Sequence, residues 1–192
     1  LQPEQGMLAV GMPLALPGKG LAVAVSAPEV DVEFWRAALT PAGGAFTATN
    51  EGSKDFLPDL VTLNTPSLKV FGRSVHEVDL RAKTAGSVWQ VQLASREANG
   101  ELQFDSFGKG SLRARLKSLS IPTPQRDGAE ASVPASALDD LPALDVVADG
   151  FSVGEKKLGR LEVVARNEAL NWRIEKFSVV NPDGRLDGSG IW

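Results

Sequence analysis

The chain contains no cysteine, no tyrosine and a single histidine, His76, among its 192 residues. Without thiols there is no disulfide framework, no thiolate nucleophile and no cysteine-bearing zinc site, and one imidazole cannot build a histidine-rich one. No cofactor or metal is expected. No apolar run approaches the roughly 18 residues that span a bilayer as a helix. An excess of positive charge is missing too: 20 Lys+Arg stand against 24 Asp+Glu. No basic field exists to hold a polyanion, so nucleic acid is not an expected partner. The start, Leu1-Gln-Pro-Glu-Gln5, has neither an initiator Met nor the basic and apolar regions of a signal peptide, and reads as a piece of a longer protein.

What the chain does have is alternation. Val78, Leu80 and Ala82 alternate with Asp79, Arg81 and Lys83; Trp89, Val91 and Leu93 with Gln90 and Gln92; Leu102 and Phe104 with Glu101, Gln103 and Asp105. Leu112, Ala114 and Leu116 alternate with Arg113, Arg115 and Lys117; Leu161, Val163 and Ala165 with Arg160, Glu162 and Arg166; Leu170, Trp172 and Ile174 with Asn171, Arg173 and Glu175. Period-two patterning of this kind makes strands with one wet face and one buried face. Weaker strands are expected at Met7–Val10, Leu21–Val25 and Leu60–Leu63. The phase breaks after Glu175, where Phe177 and Val179 are apolar, and predicts a β-bulge near Lys176. Asn99-Gly100 reads as a two-residue hairpin turn, and Asn181-Pro-Asp-Gly184 as a turn with positive φ at the glycine.

One segment departs from this pattern. Ser26-Ala-Pro-Glu29 resembles a capping box, and Val32, Trp35 and Leu39 fall on one helical face before Pro41-Ala-Gly-Gly44, which predicts a short helix near residues 28–40. A second helical turn is expected at 135–141. The stretches 41–55 and 122–132 are rich in Gly, Pro, Ser, Thr and charge and read as connectors.

The strands recur. Leu57-Pro58 is echoed by Leu141-Pro142, and Val75 to Trp89 spans 14 residues, as does Leu158 to Trp172. Two copies about 84 residues apart point to repeat construction. The resulting division is 1–56 as the end of preceding strands with the helix and a connector, 57–121 as the first β unit, 122–140 as a connector and 141–192 as the second unit. Roughly ten strands about 4.8 Å apart make a sheet some 45 to 50 Å wide, far more than one short helix can cover. The fold class is therefore mainly β: a repeated, strongly curved antiparallel sheet. It either closes on itself as a sandwich or stays open as a groove.

Catalytic constellations are weak. Gly72-Arg-Ser-Val-His76 lacks the second glycine of a nucleophile elbow, and Ser74 and His76 share a strand with no oxyanion-hole loop. Glu29, Asp31 and Glu33, and the pair Asp139-Asp140, read as helix-start charges rather than acid catalysts. Gly108-Lys-Gly110 and Gly154-Glu-Lys-Lys-Leu-Gly159 lack phosphate-loop spacing and read as turns. No enzymatic activity is expected.

The run Leu141-Pro-Ala-Leu-Asp-Val-Val-Ala-Asp-Gly-Phe151, the segment Leu158-Gly-Arg-Leu-Glu-Val-Val-Ala165, Trp172-Arg-Ile174 and the ending Gly184-Arg-Leu-Asp-Gly-Ser-Gly-Ile-Trp192 resemble the AsmA-like proteins of Gram-negative envelopes, most closely the large YhdP-type members. Val32-Glu-Phe-Trp35, Leu68-Lys-Val-Phe-Gly72 and Trp89-Gln-Val-Gln-Leu93 are similar to the central region of the same family. The resemblance implies a periplasmic protein tethered to the inner membrane through a segment absent here, with repeating β-groove units forming a trough for phospholipid acyl chains. Its partners would be those acyl chains and neighbouring repeats of the longer protein. Candidate groove-lining residues are Val78, Leu80, Trp89, Val91, Leu93, Leu102, Phe104, Leu112, Leu161, Val163, Trp172 and Ile174. The alternative is a structural or interaction β-sandwich whose two sheets close dryly over the same residues.

Overall fold

Every alternating segment becomes a strand, and the strands assemble into a single sheet. The computed structural model describes residues 5–11, 20–32, 58–70, 73–122, 141–168 and 171–191. Its strands are β1 (Gln5–Val10), β2 (Gly20–Ser26), β3 (Glu29–Asp31), β4 (Leu60–Val70), β5 (Arg73–Ala85), β6 (Val88–Ala94), β7 (Ala98–Asp105), β8 (Ser111–Ile121), β9 (Ala143–Val153), β10 (Lys156–Glu168), β11 (Asn171–Asn181) and β12 (Gly184–Ile191). They follow one another across the sheet in chain order, except that β2 and β3 lie end to end along β4. The sheet is open and curled. Among the described residues, extended contacts join hydrogen-bonded neighbours, and the sheet is not closed on itself as the sandwich alternative requires.

The sheet is mixed rather than purely antiparallel. β1 with β2, β2 and β3 with β4, and β8 with β9 are parallel. Strands joined by a turn of a few residues must run antiparallel, whereas a long connection lets the next strand join in the same sense. The β3-to-β4 and β8-to-β9 connections pass through 33–57 and 123–140, outside the described residues. The starts of β4 and β9 are pinned alike: the Asp59 N–H donates to the Leu21 carbonyl at 2.7 Å, and that of Ala143 to the Gly110 carbonyl at 3.0 Å.

Three local expectations are corrected. Glu29–Asp31 is a strand, not the start of a helix: β4 outruns β2 and offers a free edge at Ser67–Lys69, where Val30 is buried beside Leu68 and Lys69 Nζ donates to Glu29 Oε1 at 2.8 Å. Val32 is helical, and 33–40 lie outside the described residues. So do the expected connector 41–55, all but Pro122 of the connector 122–132, and 135–140 of the second helical turn. Asn99-Gly100 sits inside β7; the chain reverses instead at Ser95–Glu97, where Ser95 Oγ accepts from the Ala98 N–H at 2.9 Å. The 181–184 turn forms, but the Asn181 side chain closes it by accepting from the Asp183 and Gly184 N–H groups, and Gly184 keeps an ordinary negative φ. The bulge near Lys176 is present, as Val164 pairs with Lys176 but Ala165 with Ile174.

Burial and strand pairing repeat at an offset of 83 residues. Buried Thr65, Leu68, Val78 and Ala82 correspond to buried Ala148, Phe151, Leu161 and Ala165. Trp89 pairs with Thr84 as Trp172 pairs with Asn167.

The curl has a local cause. Apolar alternation slips by one residue between Thr65 and Leu68 and between Val75 and Val78, and again between Leu116 and Leu119 and between Ala148 and Phe151. The slips fall within a residue pair of one another across the sheet. They carry unusual backbone: Glu77 has φ 55°, Gly100 152° and Gly159 96°. A Cβ on Gly159 would lie 2.1 Å from the Val180 carbonyl oxygen, so only glycine fits there. Irregularities of this kind bend strands, and a row of them creases the whole sheet along a line crossing the strands.

Candidate functional site

Cross-strand pairing places side chains at paired positions on the same face. One row reads Thr84, Trp89, Phe104, Leu112, Leu144, Ala165, Ile174. The next reads Val61, Ala82, Val91, Leu102, Ala114, Val146, Val163, Phe177. A third reads Leu63, Leu80, Leu93, Gly100, Leu116, Ala148, Leu161, Val179, Leu186. Val78 continues the third row toward the crease, and Trp172 stands two residues from Ile174 on β11. All twelve candidate residues therefore share one face. Two of them, Val78 and Leu161, are buried, and both lie at the crease; the other ten are half-buried. Such an intermediate state is expected of apolar side chains covered by their neighbours along the sheet but by no second layer.

The twelve candidate residues make up about half of this face; the alternation also marks Ala82, Ala114, Leu116 and Ala165, but not the positions that follow. Val61 and Leu63 sit in the run Leu60-Val-Thr-Leu63, where alternation is blurred. Leu119 and Phe151 fall out of phase because of the crease. A three-residue spacing between apolar positions, as from Ala148 to Phe151, is the signal that would have found them.

The opposite face is polar, and Arg81, Lys83, Gln90, Gln92, Arg113, Arg115, Arg173 and Glu175 are exposed on it. Arg115 grips Asp145 with both terminal nitrogens, at 2.9 and 2.8 Å, while Arg113 Nε donates to the same carboxylate at 3.1 Å. The Arg115 hydrogen bond, with Arg113 behind it, holds the Asp145 carboxyl below the usual carboxylate range against the opposing effect of burial. Glu162 bridges Lys176 and Arg160, and the Lys176 hydrogen bond chiefly lowers its pKa. The depressions of the described surface are shallow: one lies among Arg160, Glu162, Lys176 and Arg185 on the polar face, and another is lined by Arg113, Asp145 and Arg166 together with Leu112, Leu144 and Ala165 of the first apolar row.

His76 is exposed. Its Nδ1 lies 2.7 Å from Glu97 Oε1, and its backbone N–H donates to Glu97 Oε2 at 2.8 Å. Burial pushes the Glu97 carboxyl up, but the hydrogen bonds from His76 outweigh it and hold it below the usual range. This pair ties the short β6–β7 turn to the flank of β5, which extends past the end of β6. Among the described residues no group of three His, Asp or Glu side chains is placed to hold a metal ion, and no helix is long and apolar enough to cross a membrane.

No curated protein and no solved structure matches the chain. The family model described as YhdP protein matches residues 2–192, a range that takes in the whole creased sheet: the chain belongs to the YhdP family, within the AsmA-like group of bacterial envelope proteins.

Proposed function

We propose that this chain is a non-enzymatic section of a periplasmic lipid conduit, whose creased apolar face accepts phospholipid acyl chains between the inner and outer membranes. The observation that supports the reading is the run of continuous apolar rows on a face that, among the described residues, no second layer covers. Eleven strand positions about 4.8 Å apart give a trough roughly 50 Å long, with its axis across the strands. Each methylene removed from water contributes about 0.8 kcal/mol, so a long tail is held by burial alone and slides without breaking directional bonds. Soluble domains seldom leave so large an apolar surface unpartnered. Inner-membrane tethering and contact with further repeats belong to the same proposal.

Leu80→Glu tests it. Leu80 is half-buried in the third row, where a carboxylate on an open face keeps part of its solvation. The variant is expected to melt near the parent temperature while capture of radiolabelled phospholipid by the purified chain falls at least fivefold. A folded variant that captures lipid as well as the parent does, or a parent that captures none, overturns the reading.

A further inference from the structure

Two charged residues break the rule that the apolar face carries no charge. Arg73 pairs in register with Val70, and Lys156 with Val153. Val70 and Val153 each pack against an apolar cluster of that face, as do Val75 and Leu158, the neighbours two residues on. Arg73 and Lys156 are therefore directed to the apolar side, at the lip beyond the crease. Away from the slips themselves, no other charged residue of the described strands has a register partner on this face. Both residues are exposed. The two occupy the same place in the repeat, as the first residue of β5 and of β10, and are separated by the 83 residues that relate the buried positions.

Their surroundings have not kept pace with them. The neighbouring equivalents Ser74 and Lys157, Glu77 and Arg160, and Lys69 and Ser152 differ in charge or sign, so the shared cation is not a by-product of general similarity. Other cations of the sheet answer carboxylates on the polar face: Arg113 and Arg115 with Asp145, Arg160 and Lys176 with Glu162, Arg166 with Glu175. Arg73 and Lys156 have no carboxylate within ion-pair distance among the described residues. A cation with a long apolar stem at the rim of an apolar surface suits an amphiphile, with the stem lying along the tail and the head meeting an anion.

We propose that Arg73 and Lys156 are two equivalent headgroup stations, each pairing with the phosphodiester of a phospholipid whose acyl chains lie on the apolar face. The inference rests on the conduit reading and adds to it the lip at which the headgroup travels and the charge it must carry. Five strand spacings separate β5 from β10, which sets the stations about 24 Å apart along the trough. A lipid leaving one station is then offered the same contact one repeat further on.

The test is competitive capture. Lipid-free chain is mixed with a non-ionic, phosphate-free detergent solution holding equal amounts of dioleoyl phosphatidylglycerol and dioleoylglycerol, which share tails and differ in the anionic phosphoglycerol headgroup. The parent is expected to favour the phospholipid. In Arg73→Gln/Lys156→Gln that preference falls about fivefold at low ionic strength, dioleoylglycerol capture is unchanged, and Arg73→Lys/Lys156→Arg retains the parent ratio. The expected melting temperature of each variant matches that of the parent. A double Gln variant that folds and keeps the parent ratio overturns the stations, as does a parent that takes both lipids equally. Complete displacement of the phospholipid by excess inorganic phosphate also overturns them, because it assigns the cations to the free anion. A parent that captures neither lipid overturns the conduit reading itself.

Discussion

The hairpin pair β4–β5 and its counterpart β9–β10 share the same buried positions and, apart from the shift at Phe151 and Gly159, the same register, yet their polar faces have almost nothing in common. Across β5, β6 and β7 the outward rows are Lys83, Gln90 and Gln103, and Arg81, Gln92 and Glu101, amides and charges in equal number. Across β8 to β11 the outward rows are ionic, running through Arg113, Arg115, Asp145, Glu162 and Lys176. The inner positions are fixed by volume and backbone geometry, whereas the outer ones need only be wettable. The units differ in extent as well. β6 stops at Ala94, leaving the first residues of β5 flanked by the Glu97 latch, while β11 continues to Asn181 by way of a bulge and pairs with β10 as far as Arg160.

If the inner faces are equivalent, matched substitutions must have matched effects. Val78→Asp and Leu161→Asp each put a carboxylate at a buried crease position, and each is expected to cost more than about 4 kcal/mol. Urea denaturation measures this, and a large loss in one unit with tolerance in the other breaks the equivalence.

The crease itself uses different residues in the two units, Glu77 at φ 55° and Gly159 at φ 96°. Gly159→Ala drives a Cβ into the Val180 carbonyl and is expected to destabilise by about 3 kcal/mol. Glu77→Gly relieves a left-handed non-glycine residue and is expected to stabilise by about 1 kcal/mol, its exposed pair with Arg96 adding little in return. Thermal melts of the two variants should move in opposite directions.

The polar faces should respond weakly and unequally. Asp145→Asn removes the carboxylate shared by two arginines and is expected to cost about 1 kcal/mol at neutral pH. Because the folded pKa of Asp145 is depressed, its contribution is complete above the unfolded value near about 3.9 and disappears as pH falls through the lower folded value. The parent should therefore lose stability below about pH 4 more steeply than the variant. Gln92→Ala, on the outward face of β6, is expected to change stability by less than about 0.5 kcal/mol. Chemical denaturation at several pH values checks both.

Strand positions and the wet face were legible because strict alternation over Val78–Lys83 or Leu112–Lys117 has one physical meaning. The crease was not, since a phase slip between Ala148 and Phe151 looks in sequence like a weak strand. Nor was β3: its capping-box pattern is a local preference, overridden by the free edge of β4, which lies more than thirty residues away in the chain. The parallel sense of β4 and β9 was hidden because the direction of a strand after a long connection is not written in its own residues. Nothing in the sequence singled out Arg73, and Lys156 read as part of the Gly154–Gly159 turn; the register is what shows which side they are on.

A sheet whose described strands make extended contact with hydrogen-bonded neighbours alone has no central keystone. Within the described residues β1 and β12 are each bonded along one side only, so opening of this section can start there and proceed strand by strand, each step forfeiting one interface instead of collapsing a shared core. Amide exchange should accordingly be graded across the sheet, slowest where the cluster of Ala114, Leu116, Ala148, Phe151 and Leu161 binds β8, β9 and β10 together. The molecule would behave less like a globule with one melting point than like a ribbon that frays from its margins.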